Sequence, residues 1–237
     1  MNFKRALVAV SALAVSLPVA AGDITIGGLN QSDFRLFSED LGAALSYKPL
    51  TPAEPLGISG IDFGIAATGT RLENSAVFQQ AGANDVSTAV VPSLRLNKGL
   101  PFGIDVGAMA GGVPGTDIRI WGAELRYAIL RGGVAVPAIG IRGSYTKLAG
   151  VDQLGFNTKG LDVSISKGFA FFTPYAGVGR VWAASTPRDI PTLSKESFSL
   201  NKIFVGANLN FGLTNLVVEG DRTGDATSYG LKLGFRF

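Results

Sequence analysis

The sequence predicts an all-β fold, an antiparallel up-and-down β-barrel that crosses a membrane. Mean hydropathy is positive at +0.30, yet after the N-terminal leader no segment reaches the roughly 18 consecutive apolar residues of a spanning helix. Apolar residues occupy alternate positions instead, as in 229–237, where Tyr, Leu, Leu, Phe and Phe are separated by Gly, Lys, Gly and Arg. Successive strand side chains point to opposite faces, so each such segment has one apolar face and one small or polar face. A lipid-facing barrel requires this pattern.

Residues 1–21 are predicted to be a Sec-type signal peptide. Lys4 and Arg5 precede an apolar run over 6–14, and a small-residue end at 17–21 predicts cleavage after Ala21. Cleavage removes two basic residues and no acidic residue, so the formal charge falls from +3 by two to +1. A nearly neutral chain gives no indication of nucleic-acid binding.

The chain has no cysteine and no histidine. This composition excludes a disulfide framework, a lipid anchor on cysteine, and catalytic or metal chemistry based on histidine. An acid pair could still act, but Asp221 and Asp225 flank Gly224 in what the sequence predicts to be a solvated hairpin loop. We therefore expect no enzyme, no cofactor and no metal.

Residues 22–45 are predicted to form an N-terminal segment with a short amphipathic helix. Phe34, Phe37, Leu41 and Leu45 recur at spacings of three and four, and Ser32 or Asp33 is available as N-cap. The helix either lies on the periplasmic surface or plugs the lumen, and the sequence leaves both open. Prolines at 49, 52 and 55 mark the following residues as a connection.

Residues 46–237 are assigned to the barrel. From Leu41 onward the sequence contains eleven alternating segments, but a bacterial single-chain barrel has an even number of strands. We expect twelve strands, with 23–28 as the additional one. The alternative is ten, if the weak segment at 41–47 is helical. The connections at 97–101, 130–133, 167–168 and 211–215 are short, and those at 73–87, 148–155 and 185–197 are longer.

With the C-terminus in the periplasm, the short connections lie on the periplasmic side and the longer ones outside, as in known barrels. The aromatic residues then fall into two rings at the two ends of the strands, which is the headgroup level that Trp and Tyr prefer. The outer ring contains Trp121, Tyr145, Phe156, Trp182, Phe198 and Tyr229. The inner ring contains Phe102, Tyr127, Phe169, Phe171, Phe211, Phe235 and Phe237.

The polar face of the strands is predicted to line the lumen. Both charge signs occur, and folding adjacent strands places Arg95 diagonal to Asp105 and Glu219 diagonal to Lys232. These groups either fill a narrow interior or line an open one. The predicted lumen-lining residues are Arg95, Asp105, Glu124, Arg126, Arg142, Asp162, Lys202, Asn208, Asn210, Glu219, Lys232 and Arg236.

The terminal strand Tyr229–Phe237 resembles the closing strand of Gram-negative outer-membrane β-barrel proteins. The resemblance covers nearly the whole mature chain and depends on pattern. It implies an outer-membrane location with a periplasmic C-terminus, recognition of the last strand by the barrel-insertion machinery, and contact with outer-membrane lipid and lipopolysaccharide. The leading functional hypothesis is a small channel or uptake pore for small solutes or apolar molecules. The alternatives are a structural or interaction barrel with a filled lumen and no transport, and a soluble periplasmic β-protein.

Overall fold

The computed structural model describes residues 25–83, 86–113 and 116–237; the predicted signal peptide lies outside these ranges. Ten antiparallel strands form a closed barrel in which each strand pairs with its sequence neighbours and the last pairs with the first. The strands are β1 Ile61–Arg71, β2 Thr88–Leu100, β3 Ile104–Gly112, β4 Arg119–Arg131, β5 Ala138–Ala149, β6 Leu154–Ser166, β7 Phe172–Pro187, β8 Glu196–Phe211, β9 Thr214–Thr223 and β10 Ala226–Arg236.

The expectation of twelve strands is wrong, and the alternative of ten is confirmed. Helix α1, Gln31–Leu45, contains most of the weak alternating segment at 41–47. Of the candidate strand at 23–28, Ile26–Gly28 form a 3-10 turn. The N-cap is Asn30 and not Ser32 or Asp33, because the Asn30 side chain accepts a hydrogen bond from the backbone N–H of Asp33 at 2.9 Å.

The predicted alternation of faces is clear in β4. Trp121, Leu125 and Tyr127 are exposed on the outer wall, whereas Glu124 and Arg126 are buried inside. A β-bulge between Ala128 and Leu130 breaks the alternation at the end of the strand. The outer wall is therefore apolar and the interior carries the charges. None of the described helices is long and apolar enough to cross a bilayer.

The two ends of the barrel differ in their connections. At one end, here called the turn end, the strands are joined by residues 101–103, 132–137, 167–171 and 212–213. The opposite end, the loop end, carries 72–87 with the short helix α2, Ser75–Gln80, together with 113–118, 150–153, 188–195 and 224–225.

The described chain begins at the loop end, where Thr25 donates its N–H to the carbonyl of Ala81 at 2.9 Å. Strand β1 begins at the turn end, where Ile61 and Phe237 exchange backbone hydrogen bonds at 2.9–3.0 Å. The chain between them therefore passes through the interior of the barrel. We call residues 46–60 the lumen segment.

Candidate functional site: the lumen and its internal segment

Helix α1 lies inside the loop end of the barrel, so the plug placement of the helix is the one observed. The side chains of Phe34 and Phe37 are completely buried, and the Phe37 ring packs on Phe78 of α2 with centroids 4.5 Å apart. The apolar stripe that predicted the helix thus packs against inward-facing residues of the wall and loops rather than against a surface. The surrounding cluster includes Leu41, Leu45, Val77, Val91, Met109, Ile120, Leu148, Leu154, Phe156 and Phe198.

Polar contacts fix the helix to the wall and to the long loop. The Ser38 hydroxyl lies 2.9 Å from that of Ser185 on β7, and Arg35 pairs with Glu196 on β8 at 3.1 Å. The Asp40 carboxylate accepts the backbone N–H of Asn74 at 2.7 Å. Burial raises the pKa of Asp40 above its ordinary value.

The lumen segment is irregular, contains three prolines and belongs to no strand, so most of its backbone groups require hydrogen-bonding partners outside a sheet. Side chains of the wall supply them. Lys202 donates to the Tyr47 carbonyl at 2.6 Å, Arg95 to the Lys48 carbonyl at 2.7 Å, and Arg126 to the Pro52 carbonyl at 2.9 Å. On the acceptor side, Glu219 takes the N–H of Leu50 at 2.8 Å, Ser166 that of Glu54 at 3.2 Å and Asp105 that of Leu56 at 3.1 Å.

Lys48 is the charged side chain through which the lumen segment anchors to the wall near the loop end. Its Nζ lies 2.8 Å from Oδ1 of Asp221 on β9 and 3.0 Å from the Ser228 hydroxyl on β10. A third bond goes to the carbonyl of Ala43 at 3.0 Å, which joins the end of α1 to the same cation. The three bonds satisfy the three N–H donors of the ammonium group.

Leu50 adopts a left-handed backbone conformation, with φ of +48°, which is uncommon for a branched residue. The Leu50 side chain is completely buried in a small apolar cluster with Tyr175 and Phe204. Glu219, which binds the Leu50 N–H, also accepts the Tyr175 hydroxyl at 2.7 Å. The wall thus holds the lumen segment in a strained turn at this point.

Ion pairs within the wall cross neighbouring strands, but they are not the two predicted diagonal pairs. Asp105 pairs with Arg126 at 2.9 Å rather than with Arg95. Lys232 pairs with Asp62 at 2.7 Å rather than with Glu219. The predicted Arg95–Asp105 pair is wrong because the register places Asp105 opposite Gly99, four residues from Arg95. Glu219 does lie diagonal to Lys232, but its carboxylate binds the Leu50 N–H of the lumen segment.

A chain of charges also runs from β3 to β6. Arg142 binds Asp162 at 2.6 Å, and Glu124 lies 3.5–3.6 Å from Arg126 and Arg142. Both Glu124 carboxylate oxygens are buried without a hydrogen-bond partner. The charged side chains of the interior therefore lie close to groups of opposite charge, but some of their buried polar atoms have no hydrogen-bond partner.

Ten of the twelve side chains assigned to the lumen by sequence are buried in the interior. Asn210 and Arg236, near the turn end, are half-buried; Arg236 pairs with Asp62 at 2.7 Å, and Asn210 accepts from Asn208 at 2.9 Å. The ten are Arg95, Asp105, Glu124, Arg126, Arg142, Asp162, Lys202, Asn208, Glu219 and Lys232.

The charged residues of the interior that sequence reasoning missed include Asp62, Asp221 and Lys48. Asp62 and Asp221 share the inward parity of their strands, which is the signal that identifies them. The prediction of a solvated acidic turn is wrong for Asp221, which is buried against Lys48, while Asp225 is 92% exposed. Lys48 lies among prolines with no periodicity, so no sequence signal marks it.

The predicted interface aromatics lie on the outer wall, with two exceptions in the outer ring. Phe156 and Phe198 are only 2% and 9% exposed and belong to the cluster around α1; Arg35 lies over the Phe198 ring at 4.5 Å. Their placement outside is wrong because the alternation of β6 and β8 continues to the loop end and turns both rings inward. Tyr145 is half-buried beside Trp121, at 5.5 Å between centroids. Those exposed are Trp121, Trp182, Tyr229, Phe102, Tyr127, Phe169, Phe171, Phe211, Phe235 and Phe237.

A closed antiparallel barrel with an apolar outer wall and a charged interior has the architecture of a transmembrane β-barrel of the Gram-negative outer-membrane type. No protein-family model matches the chain, and no curated protein matches it. Among residues 25–83, 86–113 and 116–237, no group of three or more acidic side chains is placed to hold a metal ion.

Solved structures similar to this chain are outer-membrane barrels. The outer membrane protease OmpT from Escherichia coli is 10% identical, with a TM-score of 0.40 and coverage of 75% of this chain and 95% of that chain. The translocator domain of the autotransporter NalP from Neisseria meningitidis is 11% identical, with a TM-score of 0.40 and coverage of 87% and 95%. The loop L8 deletion mutant of OmpT from Vibrio cholerae is 14% identical, with a TM-score of 0.34, and this chain spans 55% of its length. Likeness at this level carries no argument about function.

Proposed function

We propose that this protein is an outer-membrane barrel whose lumen is closed by its own residues 26–60, and that it acts as a structural or interaction barrel in that state. The observation that carries the proposal is the series of bonds between the wall and successive residues of the lumen segment, from Tyr47 to Leu56. Above this series, α1 and its apolar cluster occupy the loop end. A solute would have to displace both layers.

The proposal includes an orientation. We place the loop end at the cell surface and the C-terminus in the periplasm, since long connections lie outside in barrels of this class. In this orientation the described chain enters the lumen from the surface side, beginning at Thr25 beside Ala81.

The closed interior favours the filled-lumen hypothesis over a permanently open pore. A gated channel is the second candidate, and one observation favours it. The wall beneath the lumen segment is lined with charges, and buried polar atoms such as both Glu124 oxygens and Asp162 Oδ1 have no hydrogen-bond partner in the closed state. Withdrawal of the segment would leave a polar surface suited to water and ions.

We propose no catalytic role. The carboxylates considered in the sequence do not form a pair, because Asp221 is committed to Lys48 and Asp225 is exposed in the turn.

The experiment is single-channel recording of the full chain in planar bilayers, with a lock on the plug. The chain has no cysteine, so Ser38→Cys with Ser185→Cys, whose hydroxyls are 2.9 Å apart, offers a unique disulfide between α1 and β7. We expect no conductance from the wild type or from either redox state of the double variant. The Ser38→Cys single variant is the control for the added thiol.

Two other outcomes are distinguishable. Channel openings of the double variant that disappear on oxidation and return with reductant would contradict the permanently closed barrel and support the gated channel. Steady conductance in the oxidised, locked variant would contradict both candidates, because ions would then pass with the plug in place.

A further inference from the structure

The ten strands separate their charges by face. All seven acidic residues within the strands point inward: Asp62, Asp105, Glu124, Asp162, Glu196, Glu219 and Asp221. Six basic residues point outward and are exposed on the loop-end half of the strands: Arg71, Arg119, Lys147, Lys159, Arg180 and Arg222. The outer wall near the loop end therefore carries a girdle of cations without an acidic residue among its outward strand positions. Such a girdle fits an anionic headgroup layer.

An apolar groove of about 680 Å³ runs across the outer wall into this girdle. Its floor follows one row of paired residues, from Ile139 on β5 through Ile165, Ala176 and Val205 to Gly220 on β9. Four spacings of about 4.8 Å make the row roughly 19 Å long. Ala176 and Gly220 create the depression, because neighbouring outward positions carry branched side chains.

The groove climbs along the barrel. Ile139 is the second residue of β5, at the turn end, and Arg222, which also lines the groove, is next to last in β9, at the loop end. Among the described residues, the ion pair of Arg222 is a 3.4 Å contact with Asp225, and both side chains are largely exposed. The guanidinium is thus available at the upper end of an apolar channel of roughly fatty-acyl length.

We infer that this groove binds one acyl chain of a phosphorylated glycolipid of the outer leaflet, with a phosphate on Arg222. A guanidinium binds phosphate oxygens in bidentate fashion, and the groove covers methylene groups with Ile, Val and Ala side chains. Arg180 lies two strands away and two residues further along its strand, roughly 12 Å from Arg222, so a headgroup with two phosphates fits both cations. The inference rests on the orientation given under the proposed function.

The test is native mass spectrometry of the full chain, released from detergent after incubation with purified lipid A. The probes for comparison are dephosphorylated lipid A and phosphatidylglycerol. We expect retained lipid A at a ratio near one, with weaker retention of both comparison lipids. The measurement does not involve the lumen, so its outcome is independent of conductance. A barrel that conducts ions and still retains lipid A would contradict the proposed function and support this binding site.

Two variants address the two parts of the site. Arg222→Gln removes the phosphate contact and is expected to weaken binding about fivefold, the contribution of one cation near an anionic surface. Gly220→Val fills the groove and is expected to weaken it about tenfold through lost acyl burial. An added Cβ at Gly220 would meet Tyr229 at 3.7 Å, an ordinary contact, so the variant should fold.

The matched controls are Arg119→Gln, an outward cation away from the groove, and Gly69→Val, on the other side of Tyr229. A Cβ at Gly69 would also meet its nearest atom at an ordinary 3.6 Å. Equal losses in variants and controls, or equal retention of phosphatidylglycerol, would reduce the groove to unspecific lipid contact and overturn the inference. A dimer mass lost in Gly220→Val would assign the groove to a second copy and overturn it as well.

Discussion

Lys48 of the lumen segment and Asp221 of β9 form a salt bridge of 2.8 Å in which both side chains are only 3% exposed. The bridge connects the chain that crosses the lumen to the wall that surrounds it. Since Lys48 also binds Ser228 and the end of α1, one cation joins the helix, the segment and two strands.

Lys48→Met should destabilise the docked segment by about 3–5 kcal/mol, because it leaves the Asp221 carboxylate buried without its partner. Asp221→Asn should have a comparable effect from the other side. The double variant Lys48→Met/Asp221→Asn should cost less than the sum of the two, which a double-mutant cycle of denaturant unfolding would detect. Simple additivity would show that the two residues do not interact in the folded protein.

Asp62 of β1 adds side-chain bonds to the pairing that closes the barrel, because it binds Lys232 and Arg236 of β10 at 2.7 Å each. Asp62→Asn removes the anion from a completely buried lysine, so we expect a loss of about 3–5 kcal/mol in unfolding free energy. Asp225→Asn breaks an exposed ion pair and is the control, with no measurable change expected. Hydrogen exchange should rise first along the β1–β10 seam; unchanged exchange there would contradict this role for Asp62.

Glycines of the inner face make room for rings. A Cβ on Gly206 would lie 2.4 Å from Cζ of Tyr175, whereas a Cβ on Gly143, on the outer face, would meet nothing within 4 Å. Gly206→Ala should therefore destabilise the barrel by about 1–3 kcal/mol through overpacking, and Gly143→Ala should be neutral or slightly stabilising. Urea unfolding of both variants in the same detergent measures the two free energies of unfolding. Equal changes in the two variants would show that the steric clash at Gly206 does not matter for stability.

The alternation of side chains was sufficient to predict the wall, because lipid and lumen impose opposite polarity on successive residues. Glu124 and Arg126 are examples, and the same parity, extended to the loop end, assigns Phe156 and Phe198 to the interior. Alternation alone does not determine the number of strands, since a short segment such as 41–47 satisfies both the helical and the strand period.

The partners of the lumen segment could not be predicted from the sequence. Lys48 and Asp221 are 173 residues apart, and Arg95 donates to a backbone carbonyl that carries no sequence signal. The spacing of apolar residues predicts where helix α1 lies in the sequence. It does not predict what covers the apolar stripe, because the wall residues and α2 are brought to it only when the barrel closes.

Docking of helix α1 should strengthen on mild acidification because of Asp40. Its burial raises its pKa above the ordinary value of 3.8, so the folded state takes up a proton before the unfolded state as the pH falls. Stability therefore rises as the pH falls through the raised pKa, and the gain is complete below 3.8, where both states are protonated. Asp40→Asn imitates the protonated form and keeps an oxygen for the Asn74 N–H. It should stabilise α1 at pH 7 and abolish this part of the pH dependence.

Proteolysis of residues 26–45 at several pH values, with the exposed-loop variant Asp152→Asn as control, measures the effect. A pH profile shared by Asp40→Asn and the wild type would assign it to other groups.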